Sequence, residues 1–318
     1  MTDNPPIPTR SRLRLGSCPD SWGVWFADDP AQTPWPRFLD ELAQAGYRWL
    51  ELGPYGYLPT DPARLRDEVD RRGLRVSGQA VFGALHRAER WQSDIEAARR
   101  VAALVTAMGA RHVILLPAAF RDLDGTLTEP RELDRDGWCT LVEAASRLGR
   151  ILHEEYGVTA AFHPHADSHV GTQAQVERFL HDTDPASVSL CLDTGHIAYY
   201  RGDNLELIRA YPDRIAYLHL KQADPAVVAQ VEAEDLCFAA AARRGVMCEP
   251  PQGLPEVESL LDAVDRHLGL GGLGRELYMI VEQDLYPCDP GDPLPIATRT
   301  RKYLRQLGVG SEREGGAR

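Results

Sequence analysis

Short, largely apolar runs alternate along this chain with longer segments of helical periodicity. Residues 12–16, 49–52, 74–80 and 112–116 are runs of the first kind, and 159–163, 188–193, 215–219 and 278–282 repeat the pattern in the second half. Each is too short for a helix, and the four in the second half lack the polar alternation of a half-exposed strand. This predicts β-strands buried on both faces. Helices are predicted between them. Pro34 opens one over 35–45, and Gly46 closes it. Asp61 caps a second, Pro62 takes its first position, and Gly73 ends it, because glycine tolerates the left-handed backbone just past a helix. A long amphipathic helix over 91–108 ends at Gly109. Further helices are expected over 137–156, 172–181, 204–210, 254–268 and 294–307, with a Gly-rich turn at 269–274 before the last strand.

Eight strand–helix units follow one another without a linker that would divide the chain. Alternating β and α segments imply a parallel sheet. Eight units favour closure, so the expected fold is α/β: a single (β/α)₈ TIM barrel over 12–308. An insertion after strand seven, about 222–252, carries an Ala-rich helical run at 238–242. Residues 1–11 and 309–318 are expected to be flexible tails. Gly16-Ser-Cys is not a dinucleotide fingerprint.

Composition narrows the function. The 318 residues carry a formal charge of −12. This argues against a nucleic-acid partner, whose phosphates demand basic surface. No run approaches the length of a membrane span, and the first residues lack a signal-peptide core. Six cysteines without C-x-x-C spacing do not make a disulfide framework. A cytoplasmic enzyme with reduced thiols is expected.

Four apolar runs end in metal-binding side chains: His163, Asp193, His219 and Glu282. In a parallel barrel these emerge at the carboxyl ends of the strands, where active sites of such barrels lie. Imidazole and carboxylate together suit one divalent ion, Mn²⁺, Co²⁺, Zn²⁺ or Mg²⁺. His165 is an alternative to His163, because alternate strand positions face the same way. His165, His196, Lys221 and Glu51 are candidates for proton transfer or charge stabilisation. His196 is placed on the loop after strand six. Trp22, Gln79, His169, Gln283 and Asp284 are candidates for substrate contact, with Trp25 and Phe26 as an apolar wall.

The strings Pro19-Asp-Ser-Trp-Gly-Val-Trp25, Glu51-Leu-Gly-Pro-Tyr-Gly-Tyr57, His163-Pro-His165, Leu192-Asp-Thr-Gly-His196, His219-Leu-Lys221 and Val281-Glu-Gln-Asp284 resemble the sugar phosphate isomerase/epimerase superfamily, the xylose-isomerase-like TIM barrels. The resemblance runs from about residue 12 to 308 and is strongest toward members of the inosose dehydratase type. It implies one divalent metal, held by a residue from each of strands five to eight. Many members place Glu at the strand-five position, where this chain has His163. That departure favours elimination over an epimerisation between two glutamates. The expected activity is a metal-dependent lyase acting on a keto-polyol through an enediolate. The alternatives are a sugar isomerase or epimerase, an enzyme cleaving 3-keto glycosides, or a catalytically inactive sugar-binding barrel. The expected partners are a small polyol or sugar and a second copy in a homo-oligomer.

Overall fold

The computed structural model describes residues 9–268 and 277–310. The expected turn at 269–274 and most of both expected tails lie outside the described residues. Eight parallel strands close into a barrel: β1 (Leu13–Ser17), β2 (Trp49–Glu51), β3 (Arg75–Gly83), β4 (His112–Pro117), β5 (Thr159–Phe162), β6 (Val188–Asp193), β7 (Ile215–Leu220) and β10 (Leu277–Val281). The seam is β1 against β10, from Leu13 opposite Leu277 to Ser17 opposite Val281. The helices outside are α1 (Trp35–Gln44), α2 (Pro62–Asp70), α3 (Trp91–Ala107), α4 (Arg135–Tyr156), α5 (Gln173–Asp182), α7 (Asn204–Ala210), α10 (Val257–His267) and α11 (Pro293–Gln306).

The expected helices appear because their ends are chemically marked. Asp61 accepts from Arg64 N, and Asp134 starts α4 by accepting from Gly137 N at 2.8 Å. Thr172 and Gln175 form a reciprocal capping box at α5. The inner barrel is filled by Ala80, Ile114, Ala161, Cys191, Tyr217 and Ile280. A larger apolar layer lies between strands and helices, including Leu50, Val113, Phe162, Phe179 and Leu190. Burying each large side chain there contributes roughly 1.5–3 kcal/mol.

Four features depart from expectation. A helix α6 (Thr194–Tyr199) follows β6 directly, so His196 sits on a helix and not on a loop. The reason is local: the Asp193 side chain caps the turn by accepting from His196 N at 2.8 Å. The insertion is also richer than one helix. It contains α8 (Pro225–Glu234), α9 (Phe238–Arg243) and an antiparallel pair of β8 (Gln222–Ala223) with β9 (Met247–Cys248). At the N-terminus, residues 9–12 form a 3₁₀ turn held by Arg10, which pairs with Asp262 and Asp265. At the other end Val309 is fully buried, so order extends past 308. All six cysteines are free. Among the described residues, no helix is long and apolar enough to cross a membrane.

Candidate metal centre

Strand register carries four side chains to one end of the barrel. Asp193 stands opposite His219, and His219 opposite Ile280. The ladders continue past the strands: His163 N donates to Leu115 O, and Glu282 N to Leu220 O. One ligand atom each from His163, Asp193, His219 and Glu282 lies within 4.8 Å of all the others. His163 Nε2 is 3.2 Å from Asp193 Oδ2. His219 Nδ1 is 2.9 Å from Glu282 Oε2 and 3.7 Å from Asp193 Oδ2. Nevertheless, His219 Nδ1 and Glu282 Oε2 are buried without an aligned hydrogen-bond partner. Lone pairs brought this close without hydrogen-bond geometry fit a shared cation, and two imidazoles with two carboxylates suit a borderline divalent ion.

The surroundings reinforce that fit. Glu51 Oε2 accepts from His219 Nε2 at 2.9 Å, which fixes the ring and leaves Nδ1 turned to the cluster. Glu51, a candidate for proton transfer in the sequence, is thus hydrogen-bonded to a candidate ligand. Lys221 is almost fully buried, with Nζ 2.8 Å from Glu282, 2.8 Å from Asp284 and 3.2 Å from Asp193. Burial works against its charge, but these carboxylates outweigh it and raise the Lys221 pKa well above normal. Burial likewise opposes the charge of Asp193, yet the Lys221 ammonium and nearby imidazoles hold this carboxyl well below its usual range. The Lys221 stem lies across Gly195, where an added Cβ would collide with Lys221 Cγ.

Above this floor opens a cavity of about 330 Å³, whose polar lining includes Asp20, Glu51, His163, His165, His196, His219, Lys221, Glu282 and Asp284. Trp25, Phe26, Phe82, Leu116, Leu123 and Phe238 add apolar surface to its lining, together with the charged Arg121, Asp122 and Asp167. His165 Nδ1 donates to Ala166 O at 2.7 Å, and its ring lies 4.0 Å from that of His196. Burial, then His163, push the His165 pKa down to about 3. Burial and His165 also hold His196 well below its ordinary value.

Four expected contact residues are not brought to this cavity. Trp22 is in the core, where its ring packs on Phe38 and Nε1 donates to Glu41. Gln79 lies on the helix-facing side of β3, and its amide donates to Gly53 O. Gln283 donates to Met247 O on β9. His169 belongs to a separate cluster with His86 and Glu129. Conversely, Asp20 lines the cavity although the sequence reading gave it no role. Burial, then the neighbouring Asp284, raise its pKa well above normal. Phe238 was also missed. Asp167 Oδ2 accepts from its N–H, and Arg121 binds Asp235 at the end of α8. These contacts fold the insertion over the cavity.

The geometry defines a (β/α)₈ barrel with a cluster of four potential metal ligands at its carboxyl rim. The xylose isomerase-like TIM barrel family model matches residues 39–272, and the chain belongs to this family. Inosose dehydratase of Geobacillus thermodenitrificans is 26% identical over 305 residues, spanning 93% of this chain and 97% of the relative. A solved structure of the IOLI protein with a bound zinc atom superposes with TM-score 0.69 at 16% identity, covering 94% of this chain and 100% of that one. L-ribulose 3-epimerase superposes at 0.65 with 19% identity, over 96% and 100% of the two chains.

Proposed function

We propose that this chain is a divalent-metal-dependent enzyme acting on a keto-polyol or sugar through an enediolate, as an inosose dehydratase-type lyase. The observation that carries this reading is the convergence of His163, Asp193, His219 and Glu282, beside Lys221, on the floor of one cavity. Similarity to inosose dehydratases along nearly the whole chain supports the substrate class. A bound ion would act as a Lewis acid toward a carbonyl and its adjacent hydroxyl.

The remaining roles fall to side chains. The Nδ1–H bond of His165 to Ala166 O leaves Nε2 with a lone pair in the cavity, suited to accept the α-proton. Lys221 is a fixed positive charge beside the cluster, suited to stabilise an enediolate oxygen. Burial and the neighbouring Asp284 raise the Asp20 pKa and so favour its protonated form, which suits it to assist a departing hydroxyl. His196 packs between His165 and Lys221, with Nε2 3.3 Å from Nζ, and holds both in place. Glu51 positions His219.

The apolar side chains that line the cavity favour one second reading, cleavage of a keto-glycoside bearing an apolar substituent. Both readings share the first proton abstraction. The test is incubation of the metal-loaded enzyme with 2-keto-myo-inositol in D₂O. Dehydration gives a conjugated absorbance. Isomerisation or epimerisation gives deuterium incorporation and a new isomer without it. No change with any unsubstituted keto-polyol would defeat the dehydratase reading.

A further inference from the structure

Three successive loops beyond the barrel rim bring His86, Glu129 and His169 together. His86 follows β3, Glu129 follows β4 and His169 follows β5. One ligand atom from each lies within 4.8 Å of the others, and this is the second such group among the described residues. The His86 and Glu129 side chains are 6% and 12% exposed, and His169 is 4% exposed. His86 Nε2 lies 2.8 Å from Glu129 Oε2, while the two imidazole rings are 4.7 Å apart.

Two of the three lone pairs are prearranged. His169 Nε2 donates to Pro130 O at 2.9 Å, so its proton is on Nε2 and Nδ1 carries a free pair. A carbonyl holding the outer nitrogen is how proteins orient a metal-binding imidazole. Glu129 Oε1 is buried with no hydrogen-bond partner. The Arg87 guanidinium lies 3.1 Å from Glu129, but on the other oxygen, Oε2. A cavity of about 20 Å³ touches both His86 and His169, though not Glu129, and has room for a single water beside the two rings.

We propose that His86, Glu129 and His169 form a second site for a divalent transition ion of the zinc or cobalt class. Two imidazoles and one carboxylate with a water completing the shell is a familiar ligand set for such ions. The same loops carry cavity residues: Arg121 and Leu123 follow β4, and His165 and Asp167 follow β5. An ion here ties the loop after β3 to two loops that wall the main cavity, so its role is to hold that wall.

The full chain, stripped with chelator, is titrated with Zn²⁺ or Co²⁺, desalted and counted for metal. Two ions per chain are expected for the wild type. One is expected for each of His86→Gln, Glu129→Gln and Glu282→Gln, and none for the Glu282→Gln/His86→Gln double variant. Retention of one ion in the first two shows that they remain folded. Zn²⁺ should also raise the Tm of Glu282→Gln but not of the double variant. The proposal is overturned if His86→Gln and Glu129→Gln keep every ion the wild type holds, as a metal-free salt-bridge cluster would give. A single wild-type ion lost in His86→Gln would sustain this site and defeat the main centre instead.

Discussion

Glu51 and His165 both look like bases in the sequence, yet their bonds give them different work. Glu51 holds the back of His219, so Glu51→Gln should weaken metal affinity by roughly 10–100-fold. Metal titration by competition with a chelator checks this. His165→Asn should leave metal content intact and lower kcat by about 10²–10⁴-fold, the span usual for a lost general base. Steady-state kinetics at saturating metal separates the two effects. His163, Asp193, His219 and Glu282 were readable because each ends an apolar run, and strand polarity alone sends them to one rim. Asp20 was not, because its meaning lies in Asp284, near the other end of the chain, which joins it only when β1 pairs with β10. Trp22 was misread for a related reason. It lies in the 3₁₀ turn Pro19–Trp22, where strand alternation no longer sets side-chain direction.

At the level of elements, capping residues marked helix boundaries in advance, and their loss is measurable. Thr172→Ala removes the side-chain acceptor of the α5 box and should cost about 1 kcal/mol. Urea unfolding should show a lower midpoint at unchanged slope. The insertion was legible as helical from its alanines. Its docking was not, since that depends on Asp167 receiving the Phe238 N–H and on Arg121 gripping Asp235. Asp167→Asn should therefore loosen α9 and raise KM more than it lowers kcat, as substrate saturation curves would reveal. The short α6 was hidden because the residue that starts it, Asp193, is also a ligand candidate.

For the whole molecule, chemistry gathers at the carboxyl rim while the opposite end serves stability. His112 begins β4 at that opposite end, between the rings of Tyr217 and Tyr278. Burial lowers its pKa from 6.5 to about 4. Above pH 6.5 the ring is neutral in both folded and unfolded chains. As pH falls from 6.5 toward 4, the unfolded chain takes up a proton that the folded one refuses, so stability is lost. The loss from this residue should reach at most about 2 kcal/mol between pH 7 and 5. His112→Phe should flatten that acid limb, as urea midpoints at the two pH values would show. The barrel itself was legible throughout, because eight buried strands alternating with helices have few other ways to close.

The crossing of Lys221 over Gly195 makes a backbone position answerable for an electric field. Alanine at 195 would introduce neither charge nor polarity, yet its methyl group would force the lysine stem aside. The ammonium would be dragged from three acidic neighbours, so the smallest of substitutions would register as a rearrangement of charge.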